Sequence, residues 1–229
     1  MAWKIAVKLV SPIASVQHQI LFETDLTQPV AERRPRVDCR IEAATEDDLD
    51  RITAMRFEPP PSVDPQVAVP DEFARAYYAR QSELFRDGFR ENVRQCLRAG
   101  EMCFVARIGD EIAHINWVRF PGCTPVMRRP IRLLTDEVYT TDAYTAPRWR
   151  GKAVHEAVFT HMLRYASSLG FRRAYTITDL TKAESRRGVL RAGAKQRGHH
   201  LFITPRGWGR TWVVRLAGDI EPIIRDIPE

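Results

Sequence analysis

The chain has 229 residues, a formal net charge of +6 and 44% hydrophobic residues, enough for one large domain with a real core, or one domain plus an appendage. No apolar stretch reaches the roughly 18 residues that span a membrane, and Met1 to Gln17 lacks the long apolar run and cleavage site of a signal peptide, so a cytoplasmic protein without membrane partners is expected. The positive charge favours anionic partners, but Arg33-Arg34, Arg128-Arg129, Arg172-Arg173 and Arg186-Arg187 are each flanked by apolar or acidic residues, as on a solvated face, so nucleic acid is disfavoured.

Met1 to Arg36 reads as an N-terminal appendage. Trp3, Ile5, Val7 and Leu9 alternate with Lys4, Ala6 and Lys8, which predicts a strand. Gln19 to Leu26 is a second strand candidate, and Pro29 and Pro35 bracket a basic linker. Val37 to Ala43 is a short strand. Thr45-Glu46-Asp47-Asp48 is a capping box, and the helix it opens runs to about Arg56, before Pro59-Pro60-Pro61. After a loop from Ser62 to Pro70, Asp71 to Ala99 is helical by periodicity, with Gly88 as a point where it can split and Gly100 as its stop. Phe73, Tyr77, Tyr78 and Phe85 are core residues at helical spacing.

Glu101 to Ile108 and Glu111 to Phe120 are strands joined by Gly109-Asp110, a strong hairpin signal. Residues 121 to 130 form a loop, and Leu133 to Thr145 is a strand. A helix from Val154 to Leu169, a strand from Ala174 to Asp179, a helix from Lys182 to Ala192 and strands His199 to Thr204 and Thr211 to Leu216 follow. The order β-α-α-β-β-β-α-β-α-β-β describes an α/β (α+β) fold with a mixed central sheet. Residues 37–216 form the domain and 217–229 a C-terminal tail. Cys39, Cys96, Cys103 and Cys123 show no C-x-x-C spacing and no adjacent His cluster, so reduced thiols and no metal are expected. His199-His200 reads as a strand-edge feature.

Between the strand ending at Thr145 and the helix starting at Val154 lies Arg148-Trp149-Arg150-Gly151-Lys152-Ala153. The first N–H groups of a helix have no internal acceptor and sit at the positive end of its dipole, so they bind anions. Gly151 and Ala153 leave the backbone open to a phosphate, and Arg150 and Lys152 add full charges. Taken alone, the run is equally a basic helix start with no ligand.

With this turn in place the order of elements resembles the GNAT superfamily, the N-acetyltransferases related to histone acetyltransferase. Arg148-x-x-Gly151-x-Ala153 is similar to that family's Q/R-x-x-G-x-G/A acyl-CoA loop, Thr145-Ala146-Pro147 to its strand exit, and Leu190-Arg191-Ala192-Gly193-Ala194 to its helix end. The resemblance covers roughly residues 37 to 216. It implies a splayed strand pair in the sheet, helices on both faces and acetyl-CoA as acyl donor. The backbone of Arg150, Gly151, Lys152, Ala153 and Val154 would hold the pyrophosphate, and the edge of Ala143, Tyr144 and Thr145 would pair with the pantetheine arm as an added strand does. Three places depart from the family: Lys182 stands where an Asn often opens the helix, Ala194 where a Phe usually follows the Gly, and Val189 where a Tyr often protonates the leaving thiolate. Ser185, Tyr175 or water could take that role.

Attack by an alkyl amine on a thioester requires the amine to lose a proton first, because its pKa is near 10. Alternation puts Glu137, Tyr139, Thr141 and Ala143 on one strand face, and the resemblance implies a base there: Glu137 and Tyr139 are the catalytic candidates, against the alternative that Tyr139 is core and Glu137 solvated. Asp142 and Tyr144 are second choices, and His114 and Asn116 are candidates for lining the acceptor site. The expected reaction is N-acetylation of a small-molecule amine such as an amino sugar or amino acid. The alternatives are an acyl-carrier protein as donor, a longer acyl group, or a CoA-binding module without turnover. A homodimer through the final strand or the N-terminal arm is a further expectation.

Overall fold

The computed structural model describes residues 14–57, 86–122, 133–205 and 212–218. They form one eight-stranded sheet in the order β2-β3-β4-β5-β6-β1-β7-β8. The strands are β1 (Ala14–Asp25), β2 (Arg40–Ala43), β3 (Met102–Ile108), β4 (Glu111–Arg119), β5 (Glu137–Thr145), β6 (Arg173–Asp179), β7 (Lys195–Pro205) and β8 (Trp212–Ala217). Helix α1 (Leu49–Arg56) follows a 3-10 turn whose capping box joins Thr45 and Asp48. Helix α2 covers 86–98, α3 is Val154–Ser168 and α4 is Ala183–Arg191. The rest of the expected Asp71–Ala99 helix, the Trp3–Leu9 strand, and most of the 121–130 loop and of the C-terminal tail lie outside the described residues.

The segment expected as an appendage is instead a central strand. β1 pairs antiparallel with β6 along Gln19–Asp25 and with β7 along Ala14–Glu23. The physical reason is its Ile20-Leu21-Phe22 run, each 1% exposed. Three consecutive apolar residues bury both faces of a strand, which only a central position in a covered sheet allows. The domain therefore begins before residue 37, and its last strand reaches Ala217.

Strand alternation divides the core in two. On one face Phe104, Ala106, Val118 and Val138 meet Val158, Phe159, Met162 and Leu163 of α3 and Val189 of α4. On the other, Cys103, Val105, Ile115 and Trp117 meet Leu49 and Ile52 of α1 and Val93 and Cys96 of α2. Each Val, Leu, Ile, Phe or Met among them contributes about 1.5–3 kcal/mol on burial. No described helix is long and apolar enough to cross a membrane.

Candidate active site

β5 and β6 are the sheet's parallel neighbours, and they stay together only from Glu137↔Arg173 to Thr140↔Thr176. The two threonine hydroxyls at that last pair are hydrogen-bonded to each other. Beyond it the strands part. β5 follows β4 instead, with Trp117↔Thr141 and Ile115↔Tyr144 in register, so Asp142 and Ala143 together face Asn116. That bulge holds Asp142 at a φ of 51°, a strained conformation for a non-glycine residue of the kind that concentrates at functional sites. β6 continues along β1, from Ile177↔Leu21 to Asp179↔Gln19. The facing edges of Thr141–Thr145 and Ile177–Asp179 thus carry backbone groups that do not pair with one another.

The gap is a cleft of about 620 Å³ that passes through the sheet. One wall is built from α3 and α4 through His155, Phe159, Ser185 and Val189; the other from α1 and α2 through Arg56, Asn92, Val93 and Cys96. The expected cofactor residues Ala143, Tyr144 and Ser185 all line it.

The basic turn lies between β5 and α3; its expected cofactor residues Arg148 and Arg150 to Val154 are not among those that line the cleft, whose nearest lining residues in sequence are Tyr144 and His155. Ala146 N–H donates to Ala113 O at 3.0 Å, which ties the strand exit to β4, and Arg36 N–H donates to Lys152 O at 2.8 Å. Gly151 has a φ of 75° and Ala153 one of 58°. The left-handed glycine folds the chain back so that the opening amides of α3, which have no helical acceptors, are presented at the turn. Val154 is 1% exposed and anchors the helix in the core. Arg150 donates from Nε to Thr145 O at 3.2 Å and lies 5.8 Å from the Tyr144 ring centre, with the Arg56 guanidinium 4.3 Å from that same centre. Lys152 is exposed. Arg148 is paired with Glu111 at 3.2 Å, next to the β3–β4 turn.

The two expected catalytic residues are placed elsewhere. Glu137 and Tyr139 are both 0% exposed and belong to the closed end of the strand pair. Glu137 Oε2 accepts the Leu134 N–H at 2.8 Å, and Oε1 accepts the Tyr175 hydroxyl at 3.4 Å with Arg173 Nη2 at 3.3 Å. Tyr139 packs with Leu21 and Tyr175. The bulge at Asp142 breaks the period of two, so alternation counted along β5 does not carry from the closed end to the open end. Tyr175, considered for the leaving thiolate, is held with Tyr139 and its hydroxyl is pushed up by burial and the Glu137 charge.

His114 lies under α3, its Nδ1 2.7 Å from Thr145 Oγ1 and its ring 5.3 Å from His155. Burial, then the neighbouring imidazole, holds His114 well below the usual histidine range, and burial lowers His155 to about 4. The Nε2 atoms of both are buried with no partner. Gly188 makes room for the His155 ring, since a Cβ there would stand 2.9 Å from its Cδ2.

Asn116 lines the cleft and His114 does not, and the sequence reading missed Glu101, Cys96, Arg56, Asn92 and the β1 residues Gln17 and Gln19. Glu101 is 4% exposed, and Arg119, 3% exposed, places Nη2 2.8 Å from its Oε1. The contact is an ion pair without an aligned hydrogen bond, because Oε1 has no such partner; Nε and Nη1 of Arg119 are also buried and unpartnered. Among the described residues no group of three or more His, Cys, Asp or Glu is placed to hold a metal, and Cys39, Cys96 and Cys103 are free thiols.

No family model matches the sequence, and no curated protein matches it. Solved structures do. The GCN5-related N-acetyltransferase from Sphaerobacter thermophilus matches 88% of this chain with a TM-score of 0.51 and 15% identity, over 56% of its own length. A GNAT-family protein from Novosphingobium aromaticivorans matches 84% with a TM-score of 0.53 and 16% identity, over 65% of its length. This chain has the GNAT fold. A conserved protein of unknown function from Staphylococcus epidermidis is also similar, over 88% of this chain and 66% of its own, at a TM-score of 0.51 and 9% identity. The chain thus spans less than two thirds of the length of each structure. Within the GNAT fold, the parted strands β5 and β6 and the turn before α3 are the elements that the Arg148–Ala153 motif led the sequence reading to expect, while the use of β1 as a central strand was not expected.

Proposed function

We propose that the protein is an acyl-CoA-dependent N-acyltransferase that moves an acetyl group from acetyl-CoA to the amine of a small molecule such as an amino sugar or amino acid. One observation carries the reading: a single cleft runs from His155 in the first turn of α3 along the unpaired edge of β5 to the opposite face of the sheet, between α1 and α2. The residues present fit the donor. The amides of Arg150 to Val154, with Arg150 and Lys152, suit a pyrophosphate. The free edge of Ala143–Thr145 suits an amide-bearing arm that adds itself like a strand. When bound, acetyl-CoA supplies a thioester carbonyl carbon open to direct attack. The bulge interrupts the β4–β5 ladder at Asp142 and Ala143, and a backbone N–H left out of the ladder at that point would stabilise a developing oxyanion. The acceptor reaches the same point from the α1–α2 side.

Acetyl-CoA at a hundred times its dissociation constant is expected to stabilise the fold by about 2.7 kcal/mol, read as a rise in Tm, and a panel of small amines is expected to release free thiol from it. Absence of any thermal shift at millimolar acetyl-CoA sinks the reading. A second reading, a CoA-binding module without turnover, draws on Val189, a 1% exposed apolar side chain on the cleft wall. Thermal stabilisation without thiol release across the panel would favour it.

A further inference from the structure

The half of the cleft facing α2 contains polar groups that stability does not explain. Gly100, at a φ of 81°, stops α2, and the next residue, Glu101, donates its N–H back to Cys96 O at 3.0 Å. Its side chain is 1% exposed and lines the cleft. A buried carboxylate that only strengthened the fold would have its oxygens hydrogen-bonded, and well-packed apolar side chains would serve as well or better. Here the Cys96 thiol bonds to the carboxylate, but Oε1 has only a charge partner in Arg119 with no aligned hydrogen bond, and two Arg119 nitrogens are unmatched. Asp142 stands exposed on its strained bulge in the same cleft, close enough for its charge to act on Glu101.

Building on the acyltransferase reading, we propose that Glu101 takes the proton from the attacking amine, and that the acceptor is a primary amine arriving as its ammonium ion between α2 and the β5 bulge. Arg119 from β4 keeps the carboxylate ionised and positions it; Asp142 from β5 adds the negative charge that draws the cation in. Cys96 from α2, pushed up to about 12 by burial first and by Glu101 second, stays a neutral thiol and does not compete for the proton. Burial raises Glu101 above the ordinary carboxylate range against the opposing pull of Arg119, in the direction that improves a base working at neutral pH.

The step balances. One ammonium proton passes to Glu101 and then to water; the nitrogen lone pair forms the C–N bond; the C–S pair leaves on sulfur; and a second nitrogen proton ends on that sulfur. The product is the amide plus free thiol.

A nucleophile that is already unprotonated at neutral pH separates this role from a structural one. Full-length protein and Glu101→Gln are compared for acetyl-CoA thiol release with n-propylamine and with hydroxylamine across pH. The expected result is a loss of about 100-fold or more with propylamine, a loss under about fivefold with hydroxylamine, and disappearance of the acid limb of kcat/KM. Glu101→Asp, which keeps a charge beside Arg119, is expected to keep that limb and guards against a variant that merely fails to fold. Equal losses with both nucleophiles, or an acid limb that survives in Glu101→Gln, overturns the assignment. So does a wild-type protein that acetyl-CoA stabilises but that acetylates neither probe. A wild-type protein that acetyl-CoA does not stabilise overturns the acyltransferase reading underneath.

Discussion

The two ends of the β5–β6 pair are made from the same two strands and treat buried polar groups in opposite ways. At the closed end both oxygens of Glu137 have partners, in the Leu134 amide, the Tyr175 hydroxyl and Arg173. At the open end Glu101 Oε1, Arg119 Nε and His155 Nε2 are buried without an aligned hydrogen bond. Unmet buried polar groups cost about 1–3 kcal/mol each; the closed end leaves Arg173 Nε without a hydrogen bond, while the open end leaves several such atoms around the cleft, an excess that suits a ligand bound there. Closed-end residues should therefore report on stability, and open-end residues on ligand.

The largest test of that contrast is Glu137→Ala. It removes the acceptor of the Leu134 amide and the Tyr175 hydroxyl in a site that is 0% exposed. We expect a loss of about 3 kcal/mol in denaturant unfolding, with acetyl-CoA affinity of the folded protein changed less than about threefold. A tenfold or greater loss of affinity at unchanged stability would erase the distinction between the two ends.

Next is the pH dependence of the histidines on the donor side. His155 is lowered to about 4 and His114 well below its usual value, both first by burial. A group whose folded pKa is depressed binds its proton more readily when unfolded. Its stabilising effect is complete above about pH 6.5 and drains away as pH falls towards 4. The expected slope is up to about 1.4 kcal/mol per pH unit for each histidine. Unfolding measured from pH 7.5 to 4 checks it, and the loss of slope in His155→Phe relative to wild type gives the share of that ring, with the His114 share remaining.

How much of this was legible in the residues depends on how local the cause is. The basic turn was, because Gly151, the flanking charges and the helix start all lie within a few residues. The hairpin at Gly109-Asp110 was for the same reason, and its strands pair through Ile108↔Glu111. Glu137 and Tyr139 were misplaced because the Asp142 bulge shifts the strand's phase, and no residue in T-T-D-A-Y marks a bulge by composition. Glu101 was hidden because the charges that act on it are not local: Arg119 arrives from β4 and Asp142 from β5. β1 was hidden by its neighbours. Its Ile20-Leu21-Phe22 run has the composition of a central strand, but its place between β6 and β7 depends on segments about 150 to 190 residues away.

Smaller effects divide the open end itself. Gly151 holds a φ of 75° with open space where a Cβ would go, so Gly151→Val meets backbone strain and no clash. Its expected cost is about 1–2 kcal/mol in stability, with acetyl-CoA affinity down about tenfold or more because the turn no longer presents its amides, measured by calorimetric titration.

The smallest effect concerns Gly188. A methyl group there would stand 2.9 Å from His155 Cδ2 and 3.4 Å from its Nε2. The imidazole is the end of a side chain and the backbone there is ordinary helix, so the ring gives way and Gly188→Ala costs about 1 kcal/mol of crowding, partly offset by the better helix propensity of alanine. The displaced ring turns its buried Nε2 away from the cleft wall. If that nitrogen waits for the CoA arm, acetyl-CoA affinity falls about three- to tenfold while Tm moves by only a few degrees. If it is only packing, affinity and His155→Phe binding both stay at the wild-type value, and the donor half of the cleft is then recognised by backbone alone, in contrast to the side-chain chemistry of the acceptor half.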